Sequence, residues 1–222
     1  MVSSEQMLDQ LRGELLAETK QRPSATRRRF AIHQGLLVAA VILFYGLAYF
    51  ALGGLHLDGE RPTRFLILTT IGIALSAAAA IWGVTGNRKS MNGPPLPWLM
   101  ALVFGVPLLQ LGWVVLGNEL YPHSQIACSG RAGNVCLDLS LTLGSIPLLL
   151  LAVIRRNANA AHPAWAGAAL GTAIGASVAI LLHLSCECTG VTHVLRGHFL
   201  PVAILAVIGA YAGGRLARFG PR

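Results

Sequence analysis

The sequence predicts an all-α integral membrane protein: a six-helix transmembrane bundle preceded by a short cytoplasmic amphipathic helix. Two observations favour this fold class. Of the 222 residues, 54% are hydrophobic and 12% are charged, a composition too apolar for one soluble domain. The apolar residues also gather into six runs, each close to the roughly 20 residues that a helix needs to cross a bilayer.

Residues 1–30 are predicted to form a cytoplasmic N-terminal segment. Ser3 and Gln6 have the spacing of a capping box, and the helix that follows carries one apolar stripe, formed by Met7, Leu8, Leu11, Leu15 and Leu16. A helix of about 15 residues is marginal alone in water, so we expect this stripe to dock on a partner protein. The alternative is an amphipathic tail that lies on lipid. Pro23 ends the helix, and arginines at 27–29 attach the chain to the membrane surface.

The predicted transmembrane domain covers residues 31–214, and residues 215–222 form a basic cytoplasmic tail. In the fifth run, glycines repeat at four-residue spacing from Gly167 to Gly175, which lets a neighbouring helix approach closely. The six predicted spans are Ala31–Gly53, Phe65–Val84, Leu96–Leu116, Val135–Ile154, Ala164–Leu184 and Val194–Gly213.

The distribution of Lys and Arg predicts the orientation, since loops rich in these residues stay in the cytoplasm. With the N-terminus inside, thirteen of them fall on the cytoplasmic side and four on the outer side. We therefore expect a multi-pass membrane protein with both termini in the cytoplasm. The net charge of +8 lies at helix ends, where it meets anionic headgroups of the lipid bilayer, so no nucleic-acid partner is expected.

Cysteines and histidines gather at or near the predicted outer face. They are Cys128, Cys136, Cys186, Cys188, His193 and His198. Thiolate and imidazole suit zinc or copper, and Cys186, His193 and His198 are the metal-ligand candidates. The competing interpretation is a disulfide clasp, because the outer side of a bacterial inner membrane is oxidising.

The pairing of such a clasp is open on the sequence alone, since four cysteines allow three pairings. A Cys186–Cys188 bond would close a strained ring. Bonds between the two outer loops, or from Cys128 to Cys136, are favoured instead.

The sequence contains none of the common nucleotide, hydrolase or metalloprotease motifs, so the chain is predicted not to be an enzyme. The alternative is a membrane thiol oxidoreductase that passes electrons from outer-face cysteine pairs to a quinone. A transporter is disfavoured, because Gln110 and Asp138 alone do not make a continuous polar path through the spans.

Residues near the C-terminus resemble a known family. Cys186 is followed by His193, Gly197, His198 and Pro201, and "HPAWAGAALGTAIGA" precedes them. This pattern is similar to the C-terminal signature of the NrsF family of membrane anti-sigma factors, and the likeness covers most of the chain.

The resemblance implies a bacterial inner-membrane protein whose cytoplasmic N-terminal segment holds an extracytoplasmic-function sigma factor inactive. A stress signal, read in the membrane or at its outer face, would release that partner. In the family, outer cysteines are implicated in sensing metal or oxidative stress, which maps here onto Cys186 with His193 and His198. This chain departs from the pattern by carrying Cys188 in addition, and Cys128 with Cys136 in the earlier loop.

Overall fold

The structure is a computed structural model, and it describes residues 24–51, 63–85, 94–120, 130–154, 161–186, 188 and 190–216. Every regular element in these ranges is helical, which confirms the all-α prediction for this part of the chain. The helices are α1 (Ser24–Ala51), α2 (Thr63–Thr85), α3 (Leu96–Leu120), α4 (Gly130–Ile154), α5 (Pro163–Ser185), α6 (Val191–Val194) and α7 (Leu200–Leu216), and a π-helical turn, Leu195–Phe199, joins the last two.

Four helical segments are long and apolar enough to cross a membrane. They are Leu96–Leu120, Gly130–Ala152, Pro163–Ser185 and Val191–Arg215. Three of them contain the third, fifth and sixth predicted spans, and Gly130–Ala152 covers all but the last two residues of the fourth. The apolar parts of α1 and α2 among the described residues, Ala39–Ala51 and Ile67–Ala78, are shorter than a full span. The membrane class is therefore supported, and the six-span count stays a prediction.

The chain divides into two compact units, Met1–Phe44 and Tyr45–Arg222, and the site described below lies in the second. In that unit α5 is the central helix and packs against α2, α3, α4 and α7. Of its span residues, 67% are buried, against 28% in α3 and 22% in α4. Its many Gly and Ala residues explain this position, because helices pack closely in lipid through small residues.

The closest helix crossing is between α5 and α7. Gly167 lies against Gly209 and Gly213, and a Cβ atom on Gly171 would overlap the carbonyl group of Leu205. This crossing confirms the close approach predicted from the glycine spacing.

Two apolar clusters hold the other helices to α5. One joins α2 and α3 to it and includes Ala80, Leu99 and Ala176. The other joins α4 and α7 to it through Leu148, Ile174 and Leu205. Together they hold α2, α3, α4 and α7 around α5.

Candidate metal centre

Cys186 follows directly after the last helical residue of α5. Its backbone is extended, with φ −101° and ψ 125°, and its N–H donates to the Leu182 carbonyl at 2.7 Å. This hydrogen bond closes the last turn of α5. The chain then reverses, so that α6 begins at Val191 beside the end of α5.

The π-helical turn determines the relative position of His193 and His198. In a regular α-helix, residues five apart are separated by about 140° around the axis, so their side chains would diverge. A π-helical turn widens the helix by one residue per turn. The two imidazole rings consequently lie together, with their centroids 5.4 Å apart and their planes at 69°.

Pro201 explains part of the local hydrogen bonding. Because proline has no N–H, it cannot donate to the carbonyl of Gly197, four residues earlier. The Ser140 hydroxyl of α4 donates to that carbonyl instead, at 2.9 Å. This buried bond ties α4 to the π-helical turn.

A stripe of small residues on α4 faces the same turn. Gly133, Cys136 and Ser140 are spaced three and four residues apart, which places them on one side of a helix. A Cβ atom on Gly197 would lie 2.9 Å from the Cβ of Cys136, and one on Gly133 would lie 3.8 Å from Nδ1 of His193. The two glycines therefore let α4 approach closely enough to bring Cys136 to the histidines.

Four side chains meet at this place, and we call them the Cys/His cluster: Cys136, Cys186, His193 and His198. The Sγ atoms of Cys136 and Cys186 are 3.6 Å apart. The Cys186 Sγ lies 3.2 Å from Nε2 of His193. One ligand atom from each of the four residues lies within 4.8 Å of the other three.

The environment favours a thiolate at Cys186. A hydrogen bond with Cys136 is the main cause that lowers the pKa of Cys186, and the His198 side chain lowers it further. Thiolate, rather than thiol, is the form that binds metal ions. Both histidines are buried, and neither Nδ1 of His193 nor Nε2 of His198 has a hydrogen-bond partner in the described part of the chain.

The geometry fits a tetrahedral metal ion. Zinc binds sulfur at about 2.3 Å and nitrogen at about 2.0–2.1 Å, so neighbouring ligand atoms are about 3.4–3.8 Å apart. The 3.6 Å and 3.2 Å separations are close to this range. Two thiolates and two imidazoles are a common zinc-binding set. The cluster can therefore hold a metal ion with small movements of its side chains.

A comparison with protein families identifies the chain. Residues 15–219 match the model of NrsF, described as negative regulator of sigma F. The chain belongs to the NrsF family. This confirms the resemblance found in the sequence and supports an anti-sigma factor role. No curated protein and no solved structure matches the chain.

In this NrsF-family protein the structure brings together the three residues proposed from sequence as metal ligands, Cys186, His193 and His198. The structure adds Cys136 to this set. Cys136 lies inside α4 rather than at the edge of a loop, because the helix begins at Gly130, before the apolar run. The candidate span likewise begins at Gly130, five residues before the predicted one. The i, i+3, i+7 stripe on α4 is the sequence signal that points to Cys136.

The cysteines do not all have the same state. Cys136 and Cys186 are free thiols, whereas Cys188 is half-buried and forms a disulfide. The structure therefore contains neither the Cys128–Cys136 pairing nor a Cys186–Cys188 bond. Cys128 lies outside the described residues, as does the whole N-terminal stripe of Met7, Leu8, Leu11, Leu15 and Leu16.

Two further buried polar groups lie near the Cys/His cluster. His183, on the last turn of α5, forms a buried 2.7 Å hydrogen bond through Nε2 with the Thr69 hydroxyl of α2. Gln110 of α3, one of the two polar residues considered from sequence for a path through the spans, is also buried, and its Nε2 lies 3.4 Å from the Ala176 carbonyl. His183 precedes Cys186 by three residues, the spacing of neighbours on one helix face.

Proposed function

We propose that this protein is a multi-pass membrane anti-sigma factor of the bacterial inner membrane. Its N-terminal segment binds an extracytoplasmic-function sigma factor, and a signal at the Cys/His cluster on the outer face releases it. The observation that carries the proposal is the family match over residues 15–219. All four residues of the Cys/His cluster fall within the matched range, as do Leu15 and Leu16 of the predicted stripe, whereas Met7, Leu8 and Leu11 precede it.

The binding half of the proposal rests on the leucine stripe. Leu8, Leu11 and Leu15 have the spacing of one face of a predicted helix whose other positions include acidic residues, a pattern that suits a groove on a basic partner. A short amphipathic helix gains most of its stability from the partner on which it packs. The stripe therefore both recognises the sigma factor and becomes ordered by it.

The sensing half rests on the donor set of the Cys/His cluster. Two sulfur and two nitrogen donors suit Zn²⁺, and the thiolates also suit copper. When bound, the ion supplies four strong ligand bonds within one small volume. The residues themselves come from α4, the end of α5, α6 and the π-helical turn, so their joint movement changes how these elements pack.

A pull-down tests the binding half. Full-length protein in detergent is expected to retain a sigma factor, and a variant lacking residues 2–26 is expected to lose it. A double variant, Leu11→Asp with Leu15→Asp, should fail in the same way because it places charge on the stripe. The matched control, Gln6→Asp with Gln10→Asp, adds the same charge to the opposite face and should bind normally. Equal retention by both double variants would refute the stripe as the binding surface.

A reporter assay tests the sensing half. Cys136→Ser with Cys186→Ser should keep the sigma factor bound but abolish induction by added zinc or copper. His162→Ala serves as control, because His162 lies at the opposite end of α5 from the Cys/His cluster. Normal metal induction in the cysteine variant would exclude the Cys/His cluster as the metal sensor.

A second candidate function is a membrane thiol oxidoreductase. The observation that favours it is the 3.6 Å separation of two free thiols. In this reaction the two thiols form a disulfide and give two electrons and two protons to a quinone, which becomes a hydroquinone. Purified protein that reduces a quinone analogue with a dithiol donor, and loses this activity on Cys186→Ser, would support this function over the first.

A further inference from the structure

A small, partly open cavity lies beside the Cys/His cluster. Residues of α2, α3, α5, α6 and the π-helical turn line it, and most of its lining is apolar, including Ile73, Leu111 and Ala179. Three polar side chains also line it: Gln110, His183 and His198. Each of the three is at most 5% exposed, so they form a polar patch within an otherwise apolar bundle.

His198 belongs to both the Cys/His cluster and the cavity wall. Its side chain interacts with Cys186, and its Nε2 is buried with no partner among the described side chains and backbone groups. An imidazole that binds a metal through one nitrogen almost always donates a hydrogen bond through the other, to a carboxylate, a carbonyl or water. Whichever nitrogen of His198 binds the metal, the other needs a partner, and the cavity that His198 lines is a place where one could lie.

The cavity can supply that partner as water. The volume that the centre of a water molecule can occupy in this cavity is about 20 Å³. One water molecule needs about 10–15 Å³ by the same measure. A buried water typically makes about three hydrogen bonds to polar groups, and His198, Gln110 and His183 provide that number. A ligand with an aromatic ring would not fit this volume.

We propose that Gln110 and His183 are positioning residues for the metal centre, acting on His198 through a water molecule held in this cavity. The inference rests on the metal occupancy put forward under Proposed function. The water fixes the orientation of the His198 ring and hence the ligand geometry. His183 also bonds Thr69 of α2, so the arrangement links the metal centre to helices that contribute no ligand.

The test is metal binding by purified full-length protein in detergent, reduced and stripped of metal. Co²⁺ is added first, because its visible spectrum reports the ligand geometry, and Zn²⁺ then displaces it to give the affinity. Gln110→Leu and His183→Leu should each weaken Zn²⁺ binding about 10- to 100-fold, as loss of such outer partners typically does. Both should also alter the Co²⁺ spectrum, whereas His183→Gln, which keeps a polar group of similar reach, should restore most of the affinity.

Asn118→Leu is the matched control. Asn118 is buried on α3 like Gln110, at 6% against 5% exposure, but it does not line the cavity. It should bind Zn²⁺ with wild-type affinity and spectrum. If Gln110→Leu and His183→Leu match this control, the positioning role is overturned while the metal centre stands. If the wild type itself binds neither ion, the metal centre and the positioning role both fall.

Discussion

Gly197 illustrates how one residue without a side chain controls the Cys/His cluster. Its backbone lies so close to Cys136 that a Cβ atom would be only 2.9 Å from the Cys136 Cβ. We predict that Gly197→Ala pushes α4 away and moves the Cys136 thiol out of ligand distance. Because one of four ligands is then misplaced, Zn²⁺ affinity should fall by about tenfold or more, measured by competition with a zinc indicator.

Gly105→Ala is the control for this prediction. It also places alanine within a helix, but nothing lies within 4 Å of the added methyl group. Its Zn²⁺ affinity should equal that of the wild type. A Gly197→Ala variant with unchanged affinity would mean that the Cys/His cluster tolerates a displaced α4, contrary to the packing described above.

The cysteines supply a second prediction at this scale. Cys136 and Cys186 are free thiols, and Cys188 is in a disulfide, so Cys128 is the one cysteine left to pair with it within the chain. We predict a Cys128–Cys188 bond, a link between the two outer loops. Peptide mapping without reduction should find those two peptides joined and the Cys136 and Cys186 peptides alkylated. A Cys136–Cys186 crosslinked peptide in protein kept from oxidants would contradict this assignment.

At the scale of elements, the α5–α7 crossing carries the main packing of the bundle. Gly171 contacts the backbone of Leu205 and Ala206, and backbone atoms cannot rotate aside as a side chain can. We predict that Gly171→Ala destabilises the protein by about 1–3 kcal/mol, the usual effect of overpacking. The measurement is unfolding in mixed detergent micelles, monitored by the loss of helical circular dichroism.

Gly112→Ala provides the comparison, because the methyl group added there meets nothing within 4 Å. Alanine has the higher helix propensity, so this variant should be as stable as the wild type or slightly more so. If Gly171→Ala were equally stable, the two helices could not be packed as closely as the structure shows.

Helix positions could be predicted from sequence, whereas the π-helical turn could not. The hydropathy of each apolar run fixes where a helix crosses the membrane, and the third to sixth runs coincide with helices. Hydropathy does not specify how many residues make each turn, and the position of His198 beside His193 depends on that number. The candidate ligands Cys186, His193 and His198 were therefore predictable by residue type, but their arrangement around Cys136 was not.

For the whole molecule, the proposed function separates input from output. The Cys/His cluster lies at the end of the bundle where α5 meets α6, and the leucine stripe precedes the first predicted span. In the proposed function the membrane separates the two, so that the Cys/His cluster responds to a signal outside while the leucine stripe binds a soluble partner inside. The number of spans is therefore part of the functional argument as well as of the fold.

The first two helices decide that number. α1 has 28 residues and α2 has 23, so at about 1.5 Å per residue both exceed the roughly 30 Å hydrocarbon core. Arginines at 27–29 precede the apolar part of α1 and should hold its start in the cytoplasm. We therefore predict that α1 crosses outward and α2 returns, giving six spans.

Alkaline phosphatase fusions test this prediction, because the enzyme is active only outside the cytoplasm. With six spans, fusions after His56 and Ser124 should be active, and those after Ser90, Asn157 and Gly220 should be inactive. A four-span protein, in which α1 and α2 stay on the cytoplasmic side, would give the same fusion activities as a six-span protein at every site except one. In that case the His56 fusion would be inactive, and the stripe would be tethered to the bundle by two helices outside the membrane.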